Sequence, residues 1–343
     1  MNALLLTDYM KLEIGNVPEP AIGPDDVLVR VRACGICGSD VHGWDGSSGR
    51  RRPPLVMGHE AAGEVARVGS NVTDLAPGAR VTFDSTVYCG RCAFCLNGDV
   101  NLCDDRQVVG VAPPEYTRHG AFAEYVAVPR RIVYRLPDAF PFEHAALIEA
   151  VSIGVHAVSI TPMRLGDTAV IVGAGMIGSV TLQAARAAGC TRIIAVDIED
   201  AKLERARTIG ATDVINPTTT DMAEAVRAMT GGRGADVAFE CVGYTAPVTT
   251  AIQSVRKGGM VTLVGNLAPN IEMPLQYVVT RQIRLQGSCA SNGEYPQCID
   301  LMTRGIVQVA PLISAVAPLA EGPSWFRRLY AHEPGLGKVV LCP

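Results

Sequence analysis

Around residue 170 the spacing of apolar positions switches abruptly from one period to another. Thr168-Ala-Val-Ile-Val172 is a continuous β-branched run that ends on Gly173-Ala174-Gly175-Met176-Ile177-Gly178, and Met176 to Ala188 then carries apolar residues at helical spacing. The alternation continues downstream. Arg192 to Val196 reads as strand, Ala201 to Ile209 as helix, Asp236 to Glu240 as strand, Val248 to Val255 as helix and Met260 to Val264 as strand. Strands alternating with helices predict an α/β domain with a doubly wound parallel sheet. Residues 1–147 read differently: they are rich in Gly and Pro, with short valine runs such as Asp26-Val-Leu-Val-Arg-Val31 and Gly63-Glu-Val-Ala-Arg-Val68, and predict many short strands. No repeat interrupts them. After about residue 287 the pattern loosens, and the chain ends in Lys338-Val-Val-Leu341, expected to return to the first domain as a strand. The expected organisation is a mainly β domain over 1–147, a nucleotide-binding domain over 148–286, and a returning segment over 287–343.

Composition narrows the class. A chain of 343 residues exceeds what one hydrophobic core usually supports, and 48% hydrophobic with 19% charged residues describes a folded protein. A net charge of -4 gives no bulk reason to bind nucleic acid or an anionic membrane. The start, Met1 to Asp8, lacks a basic targeting region, and no apolar run is long enough to span a bilayer, so a cytoplasmic protein is expected. Of eleven cysteines, Cys89, Cys92, Cys95 and Cys103 crowd into one short stretch. In a chain without a secretory signal that crowding favours metal binding over disulfides.

Three groups of residues carry candidate chemistry. Gly173, Gly175 and Gly178 follow a strand and open a helix, the context in which such glycines let backbone approach a dinucleotide pyrophosphate. Asp197, at the end of the next strand, can hold ribose hydroxyls and repel a 2'-phosphate, with Glu199 adding to the repulsion; NAD is expected rather than NADP. The alternative is an ordinary glycine-rich turn. Second, four thiolates at the spacing of Cys89, Cys92, Cys95 and Cys103 can close tetrahedrally on one structural zinc, against which stand free thiols, disulfides or an iron-sulfur cluster. Third, Cys37, His59 and Glu60 offer a thiolate, an imidazole and a carboxylate, the three-ligand set that leaves a zinc open to substrate. Cys34 and Cys37 also form a C-x2-C pair, which in isolation reads as a redox dithiol. A metal with an open position and a nicotinamide cofactor together point to oxidation of an alcohol by hydride transfer.

On these residues the chain resembles the zinc-dependent medium-chain dehydrogenase/reductase superfamily over essentially its whole length. Gly58-His-Glu-Ala-Ala-Gly63, with Gly69 and Val72 beyond it, matches the family signature around a zinc ligand, and the order of ligands, cysteine lobe and nucleotide fold matches too. The resemblance is closest to the polyol branch, which includes sorbitol, galactitol-phosphate, butanediol and threonine dehydrogenases. It implies a GroES-like catalytic domain beside the Rossmann domain, with Cys37, His59 and a carboxylate on the catalytic zinc. Glu149, in Ile148-Glu-Ala-Val-Ser-Ile-Gly-Val-His156, stands where simple alcohol dehydrogenases carry a second cysteine. Ala150 replaces the proline that usually follows that glutamate, which leaves open whether Glu149 meets zinc directly or through water. The resemblance further implies a proton relay through Ser39 and His42, with Asp40 orienting His59; the alternative is that Ser39 and Asp40 only shape a turn. Lys202 would sit beside the adenosine ribose, unless it is simply a solvated helical lysine. Met176, Ile177, Val264 and Gly265 would join the glycines around NAD, and a homodimer or homotetramer is implied.

The substrate is less legible. Trp44 could wall the pocket or pack beneath a loop. Arg50-Arg51-Arg52 could meet an anionic group or form a solvated loop, and Arg118 and His119 could face the cleft. The expected substrate is a polyol, sugar alcohol or sugar derivative oxidised at a secondary hydroxyl. Alternatives are an anionic substrate (a sugar phosphate, a sugar acid or a hydroxy amino acid), a zinc-independent quinone or enoyl reductase, and a non-catalytic nucleotide sensor.

Overall fold

The computed structural model describes all 343 residues, which form two compact units. One comprises Met1–Glu149, Tyr295–Thr303 and Leu312–Pro343; the other comprises Ala150–Glu294 and Arg304–Pro311. The stretch after residue 287 is thus shared between them. No helix is long and apolar enough to cross a membrane.

The second unit is built on a six-stranded parallel sheet, ordered Asp213–Ile215, Arg192–Val196, Thr168–Val172, Ala235–Glu240, Val255–Leu263, Arg284–Gly287. The chain starts in the interior and winds out first to one side and then to the other. The strand order therefore reverses beside Thr168–Val172, and in such sheets ligands bind outside the carboxyl ends of the strands at that reversal. The inner strands are runs of Val, Ile and Ala because helices cover both faces; Val170, Val172, Ile194, Val196, Ala238 and Val261 are all buried in one core. Asp213–Ile215 and Arg284–Gly287 are the two edge strands, and the hydrophobic pattern gave no sign of them: three or four residues carry no period.

The first unit is mainly β. Along its seven-stranded sheet lie Val133–Arg135, Arg80–Phe83, Glu60–Val68, Asp26–Gly35, Lys338–Cys342 and Ile313–Pro318, while Tyr125–Pro129 also pairs with Asp26–Gly35. Leu4, Leu6, Val29, Phe83, Phe122 and Phe326 are among its core residues. Trp44, 3% exposed, packs edge-on to Phe326 at 6.1 Å and to Tyr330 at 5.5 Å, so it is a core side chain and not a pocket wall. Tyr295 is fully buried and stacks on Tyr134 at 4.9 Å, which anchors the helix Tyr295–Thr303 to this unit.

Register decides what meets at one end of the large sheet. Gly35 pairs with Glu60, so Cys37, just past the end of one strand, comes beside His59, just before the start of the other. Val340 pairs with Gly35, so Lys338 arrives at the same place from the far end of the chain.

Candidate active site

Cys37 stands at the N-cap of the short helix Gly38–Trp44. Its N–H donates to Asp40 Oδ2 at 3.1 Å, which fixes the Asp40 side chain against the turn. Ser39 and His42 lie three residues apart on that helix and so share a face; Ser39 is exposed and His42 half-buried. Cys37, His59 and Glu60 converge, with their ligand atoms all within 4.8 Å of one another. Glu149 is not in this tight set: its Oε1 accepts from Ser85 Oγ at 3.1 Å.

Asp40 is fully buried and ties the cluster together. Its Oδ1 lies 3.3 Å from His59 Nδ1 and 3.0 Å from Arg51 Nη2. The approach to Nδ1 misses hydrogen-bond directionality, so the Asp40–His59 contact is chiefly electrostatic. Burial alone would raise the Asp40 pKa, but His59 and Arg51 outweigh it and hold the carboxyl far below the usual range. Burial likewise works to lower His59, yet Asp40 and Cys37 win and raise its affinity for a proton well above the ordinary value. An imidazole so placed attracts positive charge, whether proton or metal. Glu60 is buried as well, and Lys338 Nζ donates to both its oxygens at 2.8 Å and to Ile36 O at 3.0 Å. Burial pushes Glu149 up to about 7, with Glu60 adding to the effect. Asp40 and Glu60 are already paired with Arg51 and Lys338, while Cys37 and His59 bring a sulfur and an imidazole nitrogen together with a Glu60 oxygen, a donor set that a borderline-soft divalent cation suits. The donor set fits zinc.

The basic run Arg50-Arg51-Arg52 is not a solvated loop throughout. Arg51 is 5% exposed and bound to Asp40 and Ser39, while Arg52 donates to the carbonyls of Ala112 and Pro113. Arg118 and His119 do not face the metal set either. Both line a cavity of about 940 Å³ with Val17, Pro18 and Val126, where Arg118 donates to Gln107 Oε1 and His119 Nδ1 accepts from Val56 N–H. Cys34 is fully buried, and burial first, then Asp40 and Glu60, raise its thiol pKa well above normal. It behaves as an inert core thiol, which removes the dithiol reading of Cys34 and Cys37.

Cys89, Cys92, Cys95 and Cys103 also bring their sulfurs within 4.8 Å of one another, and all eleven cysteines are free. The N–H groups of Arg91 and Cys92 point at Cys89 Sγ and lower its pKa to about 6, favouring thiolate. The lobe buries little apolar surface of its own. Its helix Ala93–Asn97 buries no residue, and Leu96 is 75% exposed. Replacing Cys95 by Ser is therefore expected to cost one equivalent of bound zinc and to speed tryptic cleavage after Arg91 or Arg106 by roughly tenfold or more. Metal analysis and limited proteolysis check it; unchanged cleavage would show that the lobe holds without the metal.

In the second unit the helix Met176–Ala187 begins at Gly175, so the N–H groups of Met176, Ile177 and Gly178 have no helical acceptor and stand free for an anion. A Cβ on Gly178 would fall 1.7 Å from Gly173 O, whereas one on Gly175 would meet nothing within 4 Å; the first glycine permits packing and the second leaves space for a ligand. Asp197 Oδ2 accepts from Ala174 N–H at 2.8 Å, beside this turn, and its remaining lone pairs are available to ribose hydroxyls. Lys202 pairs with Glu199 at 2.6 Å, so the Glu199 charge is balanced and the expected repulsion of a 2'-phosphate falls to Asp197. The N–H groups of Val264 and Gly265 both donate to Glu240 O, at 2.8 and 3.0 Å. Glu240, fully buried, also accepts from the N–H groups of Val242 and Gly243. Glu240 thereby braces the two loops at the carboxyl end of the sheet. The sequence reading passed over it, though an acid closing an apolar strand, as at Asp197, was the available signal. These features fit a dinucleotide.

Comparison with known proteins agrees with this geometry. Residues 23–138 match the alcohol dehydrogenase GroES-like domain, and residues 177–304 match the zinc-binding dehydrogenase domain. The chain is similar to sorbitol dehydrogenase of Bacillus subtilis (strain 168), at 36% identity over 100% of this chain and 97% of the relative. Among solved structures it is similar to galactitol-1-phosphate dehydrogenase from Escherichia coli, with TM-score 0.93, 27% identity and 100% of both chains covered. It is also similar to a zinc-binding dehydrogenase from Sinorhizobium meliloti 1021 bound to NADP, with TM-score 0.91, 34% identity, and 100% and 99% coverage.

Proposed function

Because the chain belongs to the zinc-dependent medium-chain dehydrogenase/reductase superfamily, in its polyol branch, we propose that it oxidises a secondary hydroxyl of a polyol, sugar alcohol or sugar derivative to the ketone, with NAD as acceptor. The observation that carries the reading is the convergence of Cys37, His59 and Glu60, a set with room for one more ligand. When bound, zinc supplies a Lewis acid that acidifies the alcohol, and NAD supplies the hydride acceptor. Cys37 and His59 would hold the metal, with Glu60 and Glu149 as the carboxylates nearest to it. Asp40 would keep the His59 ring oriented. Ser39 would take the hydroxyl proton, and His42, on the same helical face, would pass it outward. Asp197 supports NAD over NADP, since its carboxylate lies beside the glycine turn, where a 2'-phosphate would meet like charge. A homodimer or homotetramer acting in the cytoplasm belongs to the same proposal.

The anionic-substrate alternative loses its main candidate. Arg51 is buried and bound within the chain and Arg52 is engaged with backbone, which leaves exposed Arg50 as the one arginine of the run open to an anion, so uncharged polyols are favoured over sugar phosphates and sugar acids. The test is an NAD-reduction screen over polyols, short diols, sugar phosphates and sugar acids, with and without chelator, repeated with NADP. Chelator-sensitive turnover of uncharged polyols with NAD is expected. Equal rates with chelator, or turnover confined to anionic compounds, would overturn it.

A further inference from the structure

Arg51 has no part in the reaction just described, yet it reaches the hydroxyl that the reaction needs. Its Nη2 donates to Ser39 Oγ at 3.0 Å and lies 3.0 Å from Asp40 Oδ1, to which Nε also donates at 3.2 Å. The side chain threads past Gly43. A Cβ there would fall 1.9 Å from Arg51 Cδ, so glycine is what leaves the passage open. The backbone on either side is fixed too, since Ala112 N–H donates to Arg50 O and Arg52 N–H donates to Ala112 O. A guanidinium taken out of water costs several kcal/mol unless paired, and the Asp40 carboxylate supplies that pairing. Pairing alone does not require contact with an exposed serine.

A hydroxyl has one proton and two lone pairs, and a guanidinium can only donate. Arg51 therefore occupies one lone pair of Ser39, and no group of the chain takes the Ser39 proton. What remains is one acceptor position and one donor position. A hydroxyl left in that state can accept a proton from a substrate alcohol only while passing its own proton onward. Without Arg51 it could rotate and spend its proton on Asp40 or on local backbone, as serines at helix starts readily do.

We propose that Arg51 is a positioning residue that sets the direction of proton transfer through Ser39. This rests on the dehydrogenase reading above, in which Ser39 carries the proton. Lysine would replace the charge but not the fork: its three donors radiate from one atom, whereas the planar guanidinium sets Nε on Asp40 and Nη2 on Ser39.

The test uses the zinc-loaded protein, its best alcohol from the screen, and the variants Arg51→Met, Arg51→Lys and Gly43→Ala. Arg51→Met is expected to lower kcat roughly ten- to hundredfold, with KM for the alcohol and Kd for NAD within about twofold. The solvent deuterium isotope effect on kcat should rise as proton transfer becomes limiting, while zinc per chain stays the same. Arg51→Lys should recover part of kcat. Gly43→Ala keeps every charged group but blocks the passage, so it should reproduce the loss even if Arg51→Met folds poorly. If Arg51→Met and Gly43→Ala lose zinc but keep kcat per zinc and the isotope effect, Arg51 only props the metal site and the proposal is overturned. A wild-type protein inactive on every alcohol would overturn the dehydrogenase reading together with it; an active wild type with unaltered variants would overturn this inference alone.

Discussion

Replacing Cys37 by Ser is expected to lower kcat/KM for the best alcohol by about a thousandfold or more, while NAD affinity changes by less than about twofold. Cys37, His59 and Glu60 form the one group that combines a thiolate, an imidazole and a carboxylate within 4.8 Å. Serine removes the thiolate, the only soft ligand of that set, and a neutral hydroxyl does not replace it. Lewis-acid polarisation contributes several kcal/mol, and each 1.36 kcal/mol is tenfold in rate, so losing about 4 kcal/mol gives the stated factor. Misfolding does not offer a competing explanation. Cys37 occupies the N-cap of Gly38–Trp44, where serine is among the preferred residues, so the helix is not weakened by the change. The glycine turn that would bind NAD belongs to the other unit. Steady-state kinetics, zinc per chain and a fluorescence titration with NAD check the three parts. Turnover within tenfold of wild type would remove Cys37 from the catalytic role.

Much of this was legible in the sequence, for identifiable reasons. The parallel sheet announced itself because inner strands covered on both faces are continuous apolar runs, and the glycine turn because its spacing is imposed by backbone geometry. The four-cysteine candidate set stood out because thiols at short spacing have few other uses, whereas Cys37 and His59, far apart in sequence, were joined as candidates by donor type and by the family resemblance. Partnerships between distant residues were not. Lys338 looked like the polar start of an apolar tail, since nothing in its neighbourhood announces a carboxylate 278 positions away. Arg51 was hidden in a basic run of the kind that usually faces water, and the glycine that admits it, Gly43, says nothing until the backbone is folded. Glu240 was read only as the end of a strand. In each case the chemistry lies in who faces whom, and sheet register fixes that only after the long-range pairings form.

Lys338→Met is expected to cost about 3–5 kcal/mol of stability in chelator. The Lys338 ammonium is 5% exposed, and its donors go to both oxygens of Glu60 and to Ile36 O. Burial alone would lower its pKa, but the Glu60 carboxylate, with Cys37 next, outweighs burial and raises it, so the charged form is the stable one. Methionine fills the space and leaves Glu60 as a buried carboxylate without the ammonium that donates to both its oxygens. Removing one partner of a buried pair is therefore far costlier than removing both, and Lys338→Met/Glu60→Gln should regain most of the loss. Urea unfolding of the wild type, both single variants and the double variant gives the coupling directly. Repeating the series with saturating zinc separates two roles for Glu60. If its carboxylate can turn to the metal once lysine is gone, zinc takes over as counter-charge and the penalty of Lys338→Met shrinks by more than a factor of about ten in the unfolding constant. If the penalty is the same with zinc as with chelator, Glu60 answers to Lys338 alone, and the metal set reduces to Cys37 and His59 with Glu149 as the remaining carboxylate.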